Sequence, residues 1–152
     1  MKIEPPSTTK ISPGAKKNEN IPVEPDKANF GLALRKLYPG AFQQSDPTKI
    51  VFQCGKGWLD IIRTLCSLLA EANRHETDQK TYLTEVKEKL GTLRFLVSGR
   101  SQVAHDWIRF AHQHSTHVCE VCGGSARLIY KDGWQRVRCD DHTSSPVSDL
   151  IN

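Results

Sequence analysis

Apolar residues recur along this chain in two rhythms, and the change from one to the other marks out its elements. Over Trp58–His75, Leu59, Ile62, Leu65, Cys66, Leu69 and Ala72 return every three or four positions, while Asp60, Arg63, Glu71 and Arg74 fall off the stripe. That spacing predicts an amphipathic helix. A shorter helix is expected over Lys27–Leu37, with Asp26 as its N-cap, Phe30, Leu34 and Leu37 on one side, and Pro39-Gly40 as its stop. A loop through Ser45-Asp46-Pro47 then leads to a short apolar strand, Ile50–Gln53. The segment Cys54-Gly55-Lys56-Gly57 reads as a tight turn, its glycines permitting positive φ, that carries Trp58 into the core.

Further along, the rhythm shortens. Leu83, Val86 and Leu90 share helical spacing, but Gly91 interrupts them, and Leu93, Phe95 and Val97 alternate. Two strands are therefore expected, about Tyr82–Lys87 and Thr92–Val97, with a turn at Lys89–Gly91. Helical period returns over Gln102–His114, capped by Ser101, with Val103, Trp107, Phe110, Ala111 and His114 on one side. Finally Ala126–Tyr130 and Trp134–Arg138 alternate around Lys131-Asp132-Gly133, whose Asp-Gly is a strong hairpin signal.

Inside the last region sits the clearest chemistry of the chain. Cys119 and Cys122 are separated by two residues, Cys139 and His142 by two more, and the pairs flank the predicted hairpin. Two short-spaced pairs brought to one end of a hairpin are what a tetrahedral Zn²⁺ requires. Gly123-Gly124 supplies the curl after the first pair. Four protein ligands leave no open position, so the expected site is structural. His117 is a nearby competitor, read as a surface residue. The expected fold class is α+β: a small helix-plus-hairpin domain with a C-terminal Cys3His zinc ribbon and a disordered N-terminal leader. The expected boundaries are 1–26 for the leader, 27–116 for the domain, 117–143 for the ribbon and 144–152 for a flexible tail.

Composition refines this picture in three places. Residues 1–26 hold five prolines and no aromatic residue, too little apolar surface to offset chain entropy. They also lack the apolar stretch of a secretory signal, and no apolar run is long enough to span a bilayer. Five cysteines, an odd number, argue against a secreted disulfide scaffold. The expected setting is cytoplasmic, with no membrane partner. The net charge is +4, but residues 117–152 hold four basic side chains against five acidic ones. The basic excess lies in residues 27–116, thirteen against eight. Phosphates are therefore not expected on the ribbon alone. Lys87, Lys89, Arg94, Arg100 and Arg109 are the candidate nucleic-acid contacts, with Phe95 beside them.

No complete catalytic constellation is legible. The Cys54–Trp58 turn resembles an anion-binding turn before a helix, without the full phosphate-loop pattern. Cys66 lies on an apolar stripe. Cys54 lies near a helix start, and His105, His112, His114 and His117 cluster loosely, so a small hydrolase built on Cys54 or one of these histidines is the enzymatic alternative. No small-molecule substrate is identifiable.

Four blocks then occur in a telling order: Phe52–Ile62, Leu65-Cys66, Val86–Phe95, and the pairs Cys119-Glu120-Val121-Cys122-Gly123 and Cys139-Asp140-Asp141-His142. In this order the chain resembles small uncharacterised zinc-ribbon proteins of tailed bacteriophages and prophages, over about residues 30–142. The resemblance implies a compact α+β domain with a Cys3His site, a mobile-element origin and work inside a bacterial cell. It supplies no catalytic residue. The function expected is that of a zinc-stabilised interaction protein whose partner is a host protein or nucleic acid; a sequence-independent nucleic-acid-binding module is the other binding reading.

Overall fold

The computed structural model describes residues 30–43, 50–145 and 150–151. The expected leader, the Asp26 cap and the Ser45-Asp46-Pro47 loop lie outside them. Helix α1 (Phe30–Leu37) buries Phe30 and Leu34, and the Phe30 ring meets Phe52 edge-on at 5.9 Å. Leu37, expected on the same stripe, is 50% exposed, because the helix ends there and a 3-10 turn at Pro39–Ala41 redirects the chain.

Strand β1 (Val51–Gly55), helix α2 (Leu59–His75) and strand β2 (Tyr82–Lys89) form a parallel β-α-β unit, with Phe52 opposite Val86. A parallel pair needs such a crossover, and the apolar stripe of α2 gives it a face to bury. Ile61, Ile62, Leu65, Cys66 and Leu69 all turn inward. Strand β3 (Thr92–Ser98) returns antiparallel beside β2 through Leu90-Gly91, whose φ values of 53° and 73° make a two-residue hairpin turn matched to strand twist.

The register slips between Leu83 and Glu85, a bulge at which the Thr84 hydroxyl donates to the Leu96 carbonyl at 2.9 Å. The bulge sets Leu83 and Val86 on the same buried face three residues apart. Their helical spacing in the sequence has this cause.

Asn73, buried at the end of α2, ties three segments together. Its amide nitrogen donates to the carbonyls of Gly40 and Thr81, each at 2.8 Å, and its oxygen accepts from the Thr81 N–H at 2.9 Å. Asn73→Ala is expected to lower the unfolding free energy by about 3 kcal/mol in urea titrations, since it leaves buried backbone groups unpartnered.

Helix α3 (Gln102–Ser115) is capped by the Ser101 hydroxyl, which accepts from the Ala104 N–H. Its buried residues are Ala104, Ala111 and Ser115, whereas Val103 and Phe110, expected on the core side, are 53% and 71% exposed. The rotation is imposed at the C-terminal end. There the Ser115 hydroxyl accepts from the Leu93 N–H at 3.0 Å, and His112 Nδ1 lies 3.0 Å from the Leu93 carbonyl oxygen, so β3 holds that face against itself.

The second sheet is the hairpin of β4 (Arg127–Lys131) and β5 (Trp134–Arg138), turning at Asp132-Gly133 with φ of 53° and 81°. It is no appendage: Val137 belongs to the main core, and Val118 and Ala126 pack on it. Residues 146–149 and 152 of the expected tail lie outside the described residues. Strand β6 (Leu150–Ile151) pairs antiparallel with β1, completing the order β3-β2-β1-β6.

Candidate metal centre

The first knuckle forms where α3 runs out. The Cys119 N–H donates to the Gly124 carbonyl at 2.7 Å and the Gly123 N–H to the Cys119 carbonyl at 2.8 Å, a curl that places Gly123 at φ +79°. The second knuckle follows β5, where Cys139 precedes the 3-10 turn Asp140–His142 and the His142 N–H donates to the Cys139 carbonyl at 3.1 Å. Hairpin β4–β5 brings the two together.

One ligand atom from each of Cys119, Cys122, Cys139 and His142 lies within 4.8 Å of the others. Cys122 and Cys139 sulfurs are 3.8 Å apart, and His142 Nδ1 is 3.8 Å from Cys119 Sγ and 3.0 Å from Cys139 Sγ. Sulfurs about 2.05 Å apart would be bonded; these are free thiols. Metal–thiolate bonds of about 2.3 Å in a tetrahedron set ligands about 3.8 Å apart, so the group has the size and donor chemistry to hold a metal ion. Burial pushes the Cys119 thiol up, but the backbone groups of Cys139, Cys122 and Val121 and the Cys139 side chain outweigh it and bring the thiol down to about 7. Thiols shed protons on ligation. Apparent metal affinity is therefore expected to climb with pH and to drop at least about tenfold per unit below neutrality, read by competition with a chromophoric chelator. A flat profile would contradict thiolate ligation.

The centre is anchored by the segment that resembled an anion-binding turn. Gly55 and Gly57 do not adopt positive φ. Their N–H groups do meet an anionic residue, but one from this chain: Gly55 donates to Glu120 Oε1 at 3.1 Å and Gly57 to the Glu120 carbonyl at 2.8 Å. Trp58, wholly buried, donates its indole N–H to the Val118 carbonyl at 2.7 Å. Glu120 Oε2 accepts from Arg138 Nη1 at 2.9 Å, and both side chains are buried. Burial pushes the Glu120 carboxyl up, against the pull of the Arg138 guanidinium. Glu120 and Arg138 escape a sequence reading, since charged residues are almost never fully buried unless paired and nothing local announces the partner.

The remaining candidates divide. Lys87, Lys89 and Arg94 share the outer face of β2–β3, with Lys87 opposite Arg94 and ion-paired to Glu85 at 2.9 Å. Arg100 is exposed beyond that hairpin, and Arg109 sits on α3, paired with Asp106 at 3.3 Å. The five stand on β2, β3, the β3–α3 connection and α3. Cys54 is wholly buried, and burial, with the charges of Glu120 and Glu88, pushes its thiol up to about 12. It supplies no thiolate at neutral pH. His112 is held by the Leu93 carbonyl, His105 Nε2 lies 3.4 Å from the Gly99 carbonyl oxygen, His114 stacks on Phe110 and His117 is exposed. Among the described residues none is hydrogen-bonded to Cys54. A cleft of about 800 Å³ between Tyr38, Phe42, Arg74, Lys80 and Tyr82 shares no residue with the metal ligands. Among the described residues no helix is long and apolar enough to cross a membrane.

Fold and site together define an α+β protein whose C-terminal hairpin carries a Cys3His group able to hold a metal ion. Compared with known proteins, the chain matches no family model, no curated protein and no solved structure.

Proposed function

We propose that this chain is a non-enzymatic interaction protein in which Zn²⁺, held by Cys119, Cys122, Cys139 and His142, braces hairpin β4–β5 as a recognition surface. Three thiolates and an imidazole favour a borderline-soft ion, and four protein ligands close the site to substrate. The observation that carries the reading is the exposure of Trp134 and Tyr130, 66% and 74%, on that hairpin. Trp134 stands opposite Lys131 and Arg136 opposite Ile129, so these four side chains share one face with Arg127, while Tyr130, opposite Gln135, lies on the other face. Trp, Tyr and Arg are the side chains that most often anchor protein interfaces. The phage resemblance directs the search for a partner to the bacterial host.

A nucleic-acid partner is the second reading, favoured by this interleaving of basic and aromatic groups and by Lys87, Lys89 and Arg94 on the neighbouring hairpin. Affinity capture from a bacterial lysate, with and without nuclease, tests both. A protein partner should survive nuclease and be lost at least about tenfold with Trp134→Ala. Nuclease-sensitive capture that weakens steeply with salt would move the assignment to nucleic acid. Capture indifferent to Trp134→Ala would remove the hairpin from the account.

A further inference from the structure

The four side chains of the metal centre differ in their access to water. Cys119 is wholly buried, Cys139 and His142 are half-buried, and Cys122 is exposed. Cys119 is also the most firmly fastened. Its N–H and carbonyl are taken by the Gly124 carbonyl and the Gly123 N–H, and the next residue, Glu120, is tied to Gly55, Gly57 and Arg138. Cys122 is held more lightly. Its sulfur accepts from the Gly124 N–H at 3.4 Å and lies 3.8 Å from Cys139 Sγ.

Peroxides oxidise the thiolates that solvent can reach, and a second cysteine close by resolves the product to a disulfide. A disulfide bond is about 2.05 Å long, so about 1.7 Å of approach by these two sulfurs makes one. That movement asks nothing of the buried Cys119. The two knuckles are also held side by side without the ligands, since the Glu120 N–H donates to the Val137 carbonyl at 3.2 Å.

We infer, resting on the metal-centre reading, that Cys122 and Cys139 are a peroxide-sensitive modification site at which a disulfide replaces the metal as the link between the knuckles. The Cys122 thiolate attacks one oxygen of hydrogen peroxide, the O–O bond breaks, and a sulfenic acid forms as hydroxide leaves. The Cys139 thiolate then attacks the Cys122 sulfur and displaces a second hydroxide. Two protons from solvent turn both hydroxides to water. The sulfurs have together lost the two electrons that the peroxide gained. Cys119 and His142 alone are too few donors to hold the ion. Hairpin β4–β5 stays closed all the same, because Cys122 and Cys139 flank it and their bond restricts the unfolded chain. Oxidation thus frees the metal while keeping the shape that chelation destroys.

The test is a hydrogen peroxide titration of the full-length chain, first reduced and loaded with zinc. Zinc release, read with a chromophoric chelator, is expected together with a fall from five alkylatable thiols in denaturant to three. Peptide mapping should find Cys122 joined to Cys139, with Cys54, Cys66 and Cys119 still free. The oxidised protein should unfold at a clearly higher urea midpoint than the reduced, chelated one. Cys122→Ser should keep the four thiols that remain to it. A bond that includes Cys119, or a Cys122→Ser chain that loses thiols as fast as the wild type, would overturn the proposal. So would five thiols left intact by peroxide, or an oxidised midpoint no higher than the chelated one. A reduced chain that takes up no zinc would fail the metal reading, while the thiol count and peptide map decide the redox pair separately.

Discussion

On the proposed reading, stripping the metal from Cys119, Cys122, Cys139 and His142 with a strong chelator is expected to melt hairpin β4–β5 and open Trp58 to water. A two-stranded hairpin of this size is at best marginal on its own. Without a cation, three thiolates and a neighbouring imidazole have nothing to hold them within 4.8 Å. As the knuckles loosen, Val118 and Glu120 lose their positions, and with them go the bonds to the Trp58 indole, Gly57 and Gly55. The damage reaches the main core because Val137 is part of it. Stability should fall on the order of 5 kcal/mol, a fraction of the roughly 10–16 kcal/mol that structural zinc supplies to finger peptides. A variant with Trp58 as its only indole (Trp107→Phe, Trp134→Phe) would report the change as a red shift of emission. Unchanged emission after verified metal loss would mean the hairpin holds itself.

The second large effect is expected from one methyl group. At Gly57 an added Cβ would run into the carbonyl oxygen of Cys119 and the backbone of Glu120. Backbone atoms cannot rotate aside as a side chain can. Since Gly57 is not in the left-handed region, alanine there meets no conformational penalty of its own, and the whole cost is collision. Gly57→Ala should therefore lift the first knuckle off the domain, at about 3 kcal/mol or more in urea titrations. Zinc affinity, measured by chelator competition, should fall with it, because folding and ligation are linked. Gly133→Ala supplies the contrast. Its Cβ would meet nothing within 4 Å, and only its φ of +81° resists a side chain. About 1–2 kcal/mol is expected there, with zinc affinity almost unchanged.

Where the fold and the Cys3His group depend on local chemistry, the sequence was readable. Both hairpins announce themselves through Leu90-Gly91 and Asp132-Gly133, and the four metal ligands through their spacing. What stayed hidden depends on distant partners. Two residues, Leu150-Ile151, carry no strand signal, yet β1 offers them an edge. The large apolar residues of α3 pointed to a core side, but the Leu93 backbone holds Ser115 and His112 instead and turns Phe110 outward. Gly55 and Gly57 looked like turn-formers because glycine's other use, admitting a second backbone, shows only when that backbone arrives. That the backbone they admit is that of Glu120, 65 positions away from Gly55, was not legible.

That separation acquires a further meaning on the ribosome. Trp58 and its hydrogen-bond acceptor Val118 are 60 residues apart. At about 5–20 residues per second, synthesis leaves on the order of 3–12 s during which the indole has emerged and its cover has not been made. Throughout that interval the nascent chain shows an apolar notch to whatever is nearby, chaperones included. On the proposed reading closure waits longer still, until the chain has been made through His142 and a metal ion is bound, which makes metal supply a condition on the finished chain.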